Sequence, residues 1–278
     1  MTALALAHVT VPNPFRHEPF YAWTGAVLLA LALPIVVLMQ LDARVIDGVG
    51  VWAKPLKFHL ALALYALTLA FMARWVPPAT LASRRWRIFT GVVIACIALE
   101  IVWIGTAAAL GLRSHYNAMQ LPLVVVYPLM GVLATILTAA TAQYAWAIHR
   151  NPVTGLSPAG KGGLVWGLGL TLPLTLLTAF TLSAGTGHHF EPGGVLGTRG
   201  SDAGGAPLFG WSREHGDGRV PHFLATHAMH AVPLVALAFA GLGLHGAWAG
   251  RTAATLWSAA VLGAFAATLA GRSLVGWL

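Results

Sequence analysis

Residues 20–40, FYAWTGAVLLALALPIVVLMQ, run without one charged side chain. A helix needs about 20 mostly apolar residues to cross a bilayer, and this run supplies them. Six further runs of the same kind follow at 55–73, 88–111, 121–147, 164–186, 221–244 and 253–271. With 58% hydrophobic and 9% charged residues and a mean hydropathy of +0.75, the chain lies far from soluble domains, which average about 25% charged residues. The expectation is an all-α integral membrane bundle of about seven transmembrane helices. It forms a single polytopic domain over 1–278 with a long Gly-rich loop at 187–220. Pro34, Pro128, Pro173 and Pro233 fall inside spans, where they are tolerated and mark kinks. Gly163 and Gly167, four apart, suit close helix contact. No internal repeat is visible, which removes the usual signature of an inverted-repeat transporter.

The formal charge of +8 comes mostly from arginines in short loops, so it reports topology rather than nucleic-acid binding. A single cysteine, Cys96, inside an apolar run leaves neither a disulfide framework nor a CxxC metal site. The start, MTALALAHVTVPNPF, has no basic leader and no small-residue cleavage site, and is not read as a signal peptide.

Arg74, Arg84, Arg85 and Arg87 form the densest basic group and place the loop after the second span in the cytoplasm, in the cell (inner) membrane. Alternation then gathers 41–54, 112–120, 187–220 and the entrance to the sixth span on one face, predicted to be the outer one. That face holds His59, His115, His188, His189, His215, His222, His227 and His230, with Asp42, Asp47, Glu191, Asp202, Glu214 and Asp217. The opposite face has His8, His17, His149 and His245, and Glu18 as its one acid. A chain with eight acidic residues that sorts them this way is expected to carry a site there.

Within PHFLATHAMH, a continuous helix at about 100° per residue puts His222, His227 and His230 on one broad side, with His230 about 12 Å below His222. Ionisable residues at such depth face a cavity or the bundle interior and mark function by default. Neutral imidazole ligates zinc, copper, iron or haem iron; the alternative is hydrogen bonding between helices. GLRSHYNAMQ closes the third span with Arg113, His115 and Asn117, a cluster suited to a ligand or an anion, or to an ordinary helix C-terminus. Glu100, the one acidic residue in the middle of a span, is either a proton relay, an orienting partner or general acid, or a buried structural carboxyl. Lys54 and Lys57 at the second span entrance either meet headgroups or neutralise an anionic cofactor such as the haem propionates. The 187–220 loop exceeds ordinary connection length and reads as an irregular lid from which His188 and His189 emerge.

VWAKPLKF, LRSHYN and GWSREHGDGRVPHFLATH resemble recurring blocks of an uncharacterised family of bacterial multi-spanning membrane proteins. The resemblance covers most of the chain. It implies that Lys54, Pro55, Lys57, Arg113, His115, Asn117, Trp211, Asp217, Arg219 and His222 belong to one face, and it implies no activity. The run between Trp211 and Asp217 carries an extra charged pair relative to the block.

The leading expectation is a membrane-embedded oxidoreductase or other metalloprotein holding haem b or a zinc, copper or iron ion. His115, His189, His222, His227 and His230 are the candidate ligands, and Lys57, Arg113, Asn117 and Arg219 bind the cofactor. The alternatives are a metal-free lipid- or isoprenoid-processing enzyme with Glu100 as acid, and a proton-coupled transporter using Glu100 and His230. The lipid bilayer is the expected partner, with a lipophilic substrate and room for homo-oligomerisation, and no nucleic acid.

Overall fold

A computed structural model describes residues 13–117, 123–194, 196–244 and 246–277. The start of the fourth predicted span, residues 1–12, and two of the opposite-face histidines, His8 and His245, lie outside the described residues. The fold is all-α. Among the described residues six helices are long and apolar enough to cross a membrane: α1 (Pro19–Leu41), α2 (Ala53–Met72, extended by a short turn to Trp75), α3 (Arg84–Ala109), α4 (Leu123–Arg150), α5 (Pro158–Ala184) and α8 (Ala247–Leu269). The helices α6 (Arg219–Thr226) and α7 (Ala228–Gly241), bent by 60° where they meet, are together long and apolar enough to make a seventh crossing if the pair is one broken span.

The fifth helix begins earlier than the apolar run suggests. The Ser157 hydroxyl accepts from Gly160 N at 3.1 Å and Pro158 occupies the first turn, so PAGKGG is drawn into the helix. Lys161 is accommodated because its ammonium reaches back to the Asn151 carbonyl at 2.6 Å.

The sixth span corrects the expectation of one straight helix from His222 to His230. The chain breaks at His227, which closes α6 and opens α7. The Leu224 carbonyl, which a continuous helix would give to Ala228, accepts the Trp257 indole N–H from α8 at 3.0 Å. The glycines expected to pack closely do so. A methyl group on Gly167 would stand 2.9 Å from the Ala228 carbonyl, and one on Gly163 would stand 2.8 Å from Ala236 Cβ. Small residues on α5 thus admit the broken helix to the interior.

Two cores hold the bundle. One joins α1 to α5 around Tyr21, Leu69, Trp86, Ile97, Tyr144 and Leu168; the other joins α5 to α8 around Leu174, Ala225, Val232 and Val261. At one end the connections interlock. The hairpin β1 (Val45–Ile46) and β2 (Val49–Gly50) accepts Asp202 N on the Asp47 carbonyl at 2.9 Å. Arg113 pairs with Asp47, and Lys57 donates to the Phe209 carbonyl at 2.8 Å. The loop read as an irregular lid is therefore tied down. Its ends form β3 (His189–Phe190) and β4 (Gly216–Asp217), which pair antiparallel.

Candidate metal centre

The site grows out of the end of α5. GTGHHF leaves the helix and pairs with LGTRG: Thr186 N donates to the Gly197 carbonyl at 2.9 Å, and His189 and Thr198 exchange backbone hydrogen bonds of 3.2 and 2.7 Å. On its other side His189 is the register partner of Asp217. Gly200 lies under the imidazole, where a Cβ would come within 2.8 Å of His189 Cδ2. A side chain there would push the ring out of place.

His188, His189 and Asp202 converge as a result. Among the described residues they are the one group of three His, Cys, Asp or Glu whose ligand atoms all lie within 4.8 Å of one another. His188 Nε2 is 2.9 Å and His189 Nε2 is 3.3 Å from the same oxygen, Asp202 Oδ1. Two atoms each about 2.1 Å from a shared ion stand about 3.0 Å apart at a right angle and about 3.4 Å apart at a tetrahedral angle. The two imidazole–carboxylate distances are compatible with a shared ion. His189 is 4% exposed and its buried Nε2 makes no hydrogen bond among the described residues. A buried polar atom without a partner is rare enough to call for an ion, a water or a function.

Protonation states fit a cation. Burial pulls His188 below its ordinary 6.5, against the opposing pull of its Asp202 hydrogen bond, so the ring is neutral and keeps a lone pair at neutral pH. Burial opposes ionisation of Asp202, but the hydrogen bond from His188, the close approach of His189 and the charge of Arg219 outweigh it and hold the carboxyl well below the usual range. Asp217 is held down in the same way, chiefly by Arg219. Two carboxylates around one guanidinium leave one net negative charge where the imidazoles meet. Arg219 also supplies the outer hydrogen bonds that orient a ligating carboxylate.

The residues singled out from sequence fall into three places. His189 is in the cluster, with Arg219 directly behind it. His115, Arg113, Asn117 and Lys57 line neighbouring parts of the same end. His115 Nδ1 takes the Lys54 ammonium at 3.0 Å, and burial, helped by that charge, lowers the imidazole well below its ordinary value. Asn117 Nδ2 donates to the Arg113 carbonyl at 3.4 Å. His222, His227 and His230 lie deeper and do not join a three-ligand group. His222 bonds Thr178 at 3.0 Å, His230 bonds Thr68 on α2 at 3.0 Å, and His227 bonds the Phe223 carbonyl at 2.9 Å. Phe209, Trp211, Phe223, His227 and His230 form a run of ring contacts, stacked, edge-on, stacked and tilted in turn, from the loop to the helix break. Glu100 is 3% exposed, with Oε1 unpartnered among the described residues.

The sequence reading left His188 out of the ligand set and did not single out Asp202. The available signal was a His-His pair leaving a span in a loop that also carried an acid, but the fold of that loop set which acid returns. No protein-family model, no curated protein and no solved structure matches this chain.

Proposed function

We propose that the protein is a membrane-embedded metalloenzyme whose ion is held by His188, His189 and Asp202, with open positions for a reacting ligand. The observation that carries this reading is the convergence of two buried or half-buried imidazoles, His188 and His189, on the same oxygen of Asp202. Two imidazoles and one carboxylate are the donor set of non-haem iron(II) centres, and also suit an open catalytic zinc site. Iron would support oxidation of a substrate; zinc would activate water for hydrolysis. The substrate on this reading is lipophilic and arrives from the bilayer at the outer face of the cell membrane. Arg219, Asp217 and Arg113, from the blocks that resemble the bacterial multi-spanning family, lie at this end of the bundle.

The test is elemental analysis together with the visible spectrum of protein purified in mild detergent. About one iron or zinc per chain, lost in His189→Ala and kept in His149→Ala, is expected. A Soret band would move the centre to His222, His227 and His230, and a metal-free wild type reconstituted with neither ion would overturn the proposal.

A further inference from the structure

An open cavity of about 430 Å³ lies at the same end of the bundle, lined by Val45 and Ile46 of the first hairpin, by Asp47, Arg113 and Asn117, and by Arg199 from the segment leading to Asp202. Two contacts connect its surroundings to the histidine cluster. Asp47, on its floor, takes the backbone N–H of Asp202 at 2.9 Å, and the Tyr116 ring, between Arg113 and Asn117, lies 6.5 Å from the ring of His188.

The charge around this cavity is unbalanced. Arg113 is matched by Asp47 through a two-point pair. Arg44, whose Nη1 lies where a Cβ on Gly111 would be 3.4 Å away, is matched by Asp42. Its second bond goes to the Ala109 carbonyl at 3.1 Å and caps the C-terminus of α3, cancelling part of the negative end that would otherwise face the cavity. Arg199 has no carboxylate. It touches two backbone carbonyls, of Tyr116 at 3.0 Å and Thr186 at 3.4 Å, and makes no ion pair among the described residues. The Asn117 amide adds a neutral donor. One uncompensated guanidinium, a second held in place by its carboxylate and an amide face a space walled on one side by Val45 and Ile46. Arginine is the side chain best matched to a phosphate, because its planar fork meets two oxygens at once.

We infer that this cavity binds the phosphate of a phosphate-bearing amphiphile, with Arg199 as the principal contact, and so holds that molecule beside the histidine cluster. As an assignment of substrate class it rests on the metalloenzyme reading; as a binding site it stands without it. The same chemistry would take free inorganic phosphate, and the two sources separate by experiment.

Binding of short-chain phosphatidic acid, of the matching diacylglycerol and of inorganic phosphate is measured by calorimetry on the full-length protein in neutral detergent. Measurements are made before and after removal of metal with a chelator. Phosphatidic acid is expected to bind, diacylglycerol not, and inorganic phosphate at least tenfold more weakly. Equal affinity for inorganic phosphate, with competition, assigns the cavity to a soluble phosphate and overturns the amphiphile. Arg199→Ala is expected to weaken phosphatidic acid at least tenfold with an unchanged melting temperature, and Arg199→Lys to recover most of the loss. Unchanged binding in Arg199→Ala overturns the site. His189→Ala keeps phosphatidic acid binding if the cavity is the site and loses it if the anion sits on the metal instead. Absence of metal in the wild type would defeat the enzyme reading while leaving the Arg199 effect intact.

Discussion

Arg219 donates to both oxygens of Asp202, from Nη2 to Oδ1 at 2.8 Å and from Nη1 to Oδ2 at 3.0 Å. The same guanidinium reaches Asp217 at 2.6 Å, a side chain only 1% exposed. One arginine at the first turn of α6 therefore joins the loop carrying Asp202, a candidate ligand, to the strand beside His189. Removing one partner of a buried pair leaves a charge in low dielectric, at a cost of about 3–5 kcal/mol; the partial exposure of Arg219 and Asp202 puts this site at the lower end. Arg219→Ala should depress the thermal midpoint in detergent sharply, and Arg219→Lys should fall between, since lysine keeps the charge but not the fork. Three indistinguishable melting curves would show that the arginine does not hold the loop.

The metal ligands should separate from the deeper histidines. Asp202→Asn keeps an oxygen for Arg219 but removes the anionic ligand, and is expected to weaken zinc or iron(II) binding by at least tenfold. His222→Ala, which removes a hydrogen bond to Thr178, should leave affinity within about threefold, because it alters no group within the coordination radius. Metal titration of purified, chelator-stripped protein reads both. Loss of affinity in His222→Ala with none in Asp202→Asn would put the ion lower in the bundle.

Acid should destabilise the metal-free protein in two stages. Burial lowers His188 and His115 below 6.5. As pH falls below that value the unfolded chain takes up protons that the folded chain resists, so stability drops. Asp202, held below 3.8 in the folded state, contributes stability that is complete above the unfolded value and drains as pH falls through the folded one. Thermal midpoints should therefore fall from about pH 7 to about pH 5 through the histidines, and more steeply below about pH 4 as Asp202 joins. His188→Gln should flatten the first stage in part, leaving the contribution of His115. A midpoint that rises on acidification over the first interval would contradict the assignment of buried neutral imidazoles.

Most of the bundle was legible in the sequence because a membrane helix needs only length and apolarity, and both are local. The shared face was also legible, since alternation alone brings 41–54, 112–120 and 187–220 together, and the pairs Asp47 with Arg113 and Lys54 with His115 realise it. Two things were hidden. The break at His227 depends on Trp257 taking the Leu224 carbonyl, a contact between helices that no periodicity in PHFLATHAMH records. Convergence of Asp202 on His188 and His189 depends on a strand pair of two residues and on a carbonyl of Asp47. A loop of glycines has no side-chain period from which such a return could be read.

The glycines give a direct test of how tightly the broken span is seated. Gly167→Ala would place a methyl 2.8 Å from Pro233 Cδ and 2.9 Å from the Ala228 carbonyl, backbone and ring atoms that cannot rotate away. Either α7 shifts away from α5 or the turn at His227 opens, and overpacking of this kind costs about 1–3 kcal/mol. Gly91 on α3 has nothing within 4 Å of the corresponding position. There the same change removes a flexible residue from a helix interior and should be neutral or stabilising by up to about 1 kcal/mol. Gly167→Ala should therefore melt lower and Gly91→Ala at or above the wild type in the same detergent. Because α6 carries Arg219 into the ion-pair network while α7 leaves the break toward the other end, a displaced break should also loosen metal binding in Gly167→Ala alone. If Gly167→Ala melts like the wild type and binds metal as tightly, the helix break is not pressed against α5.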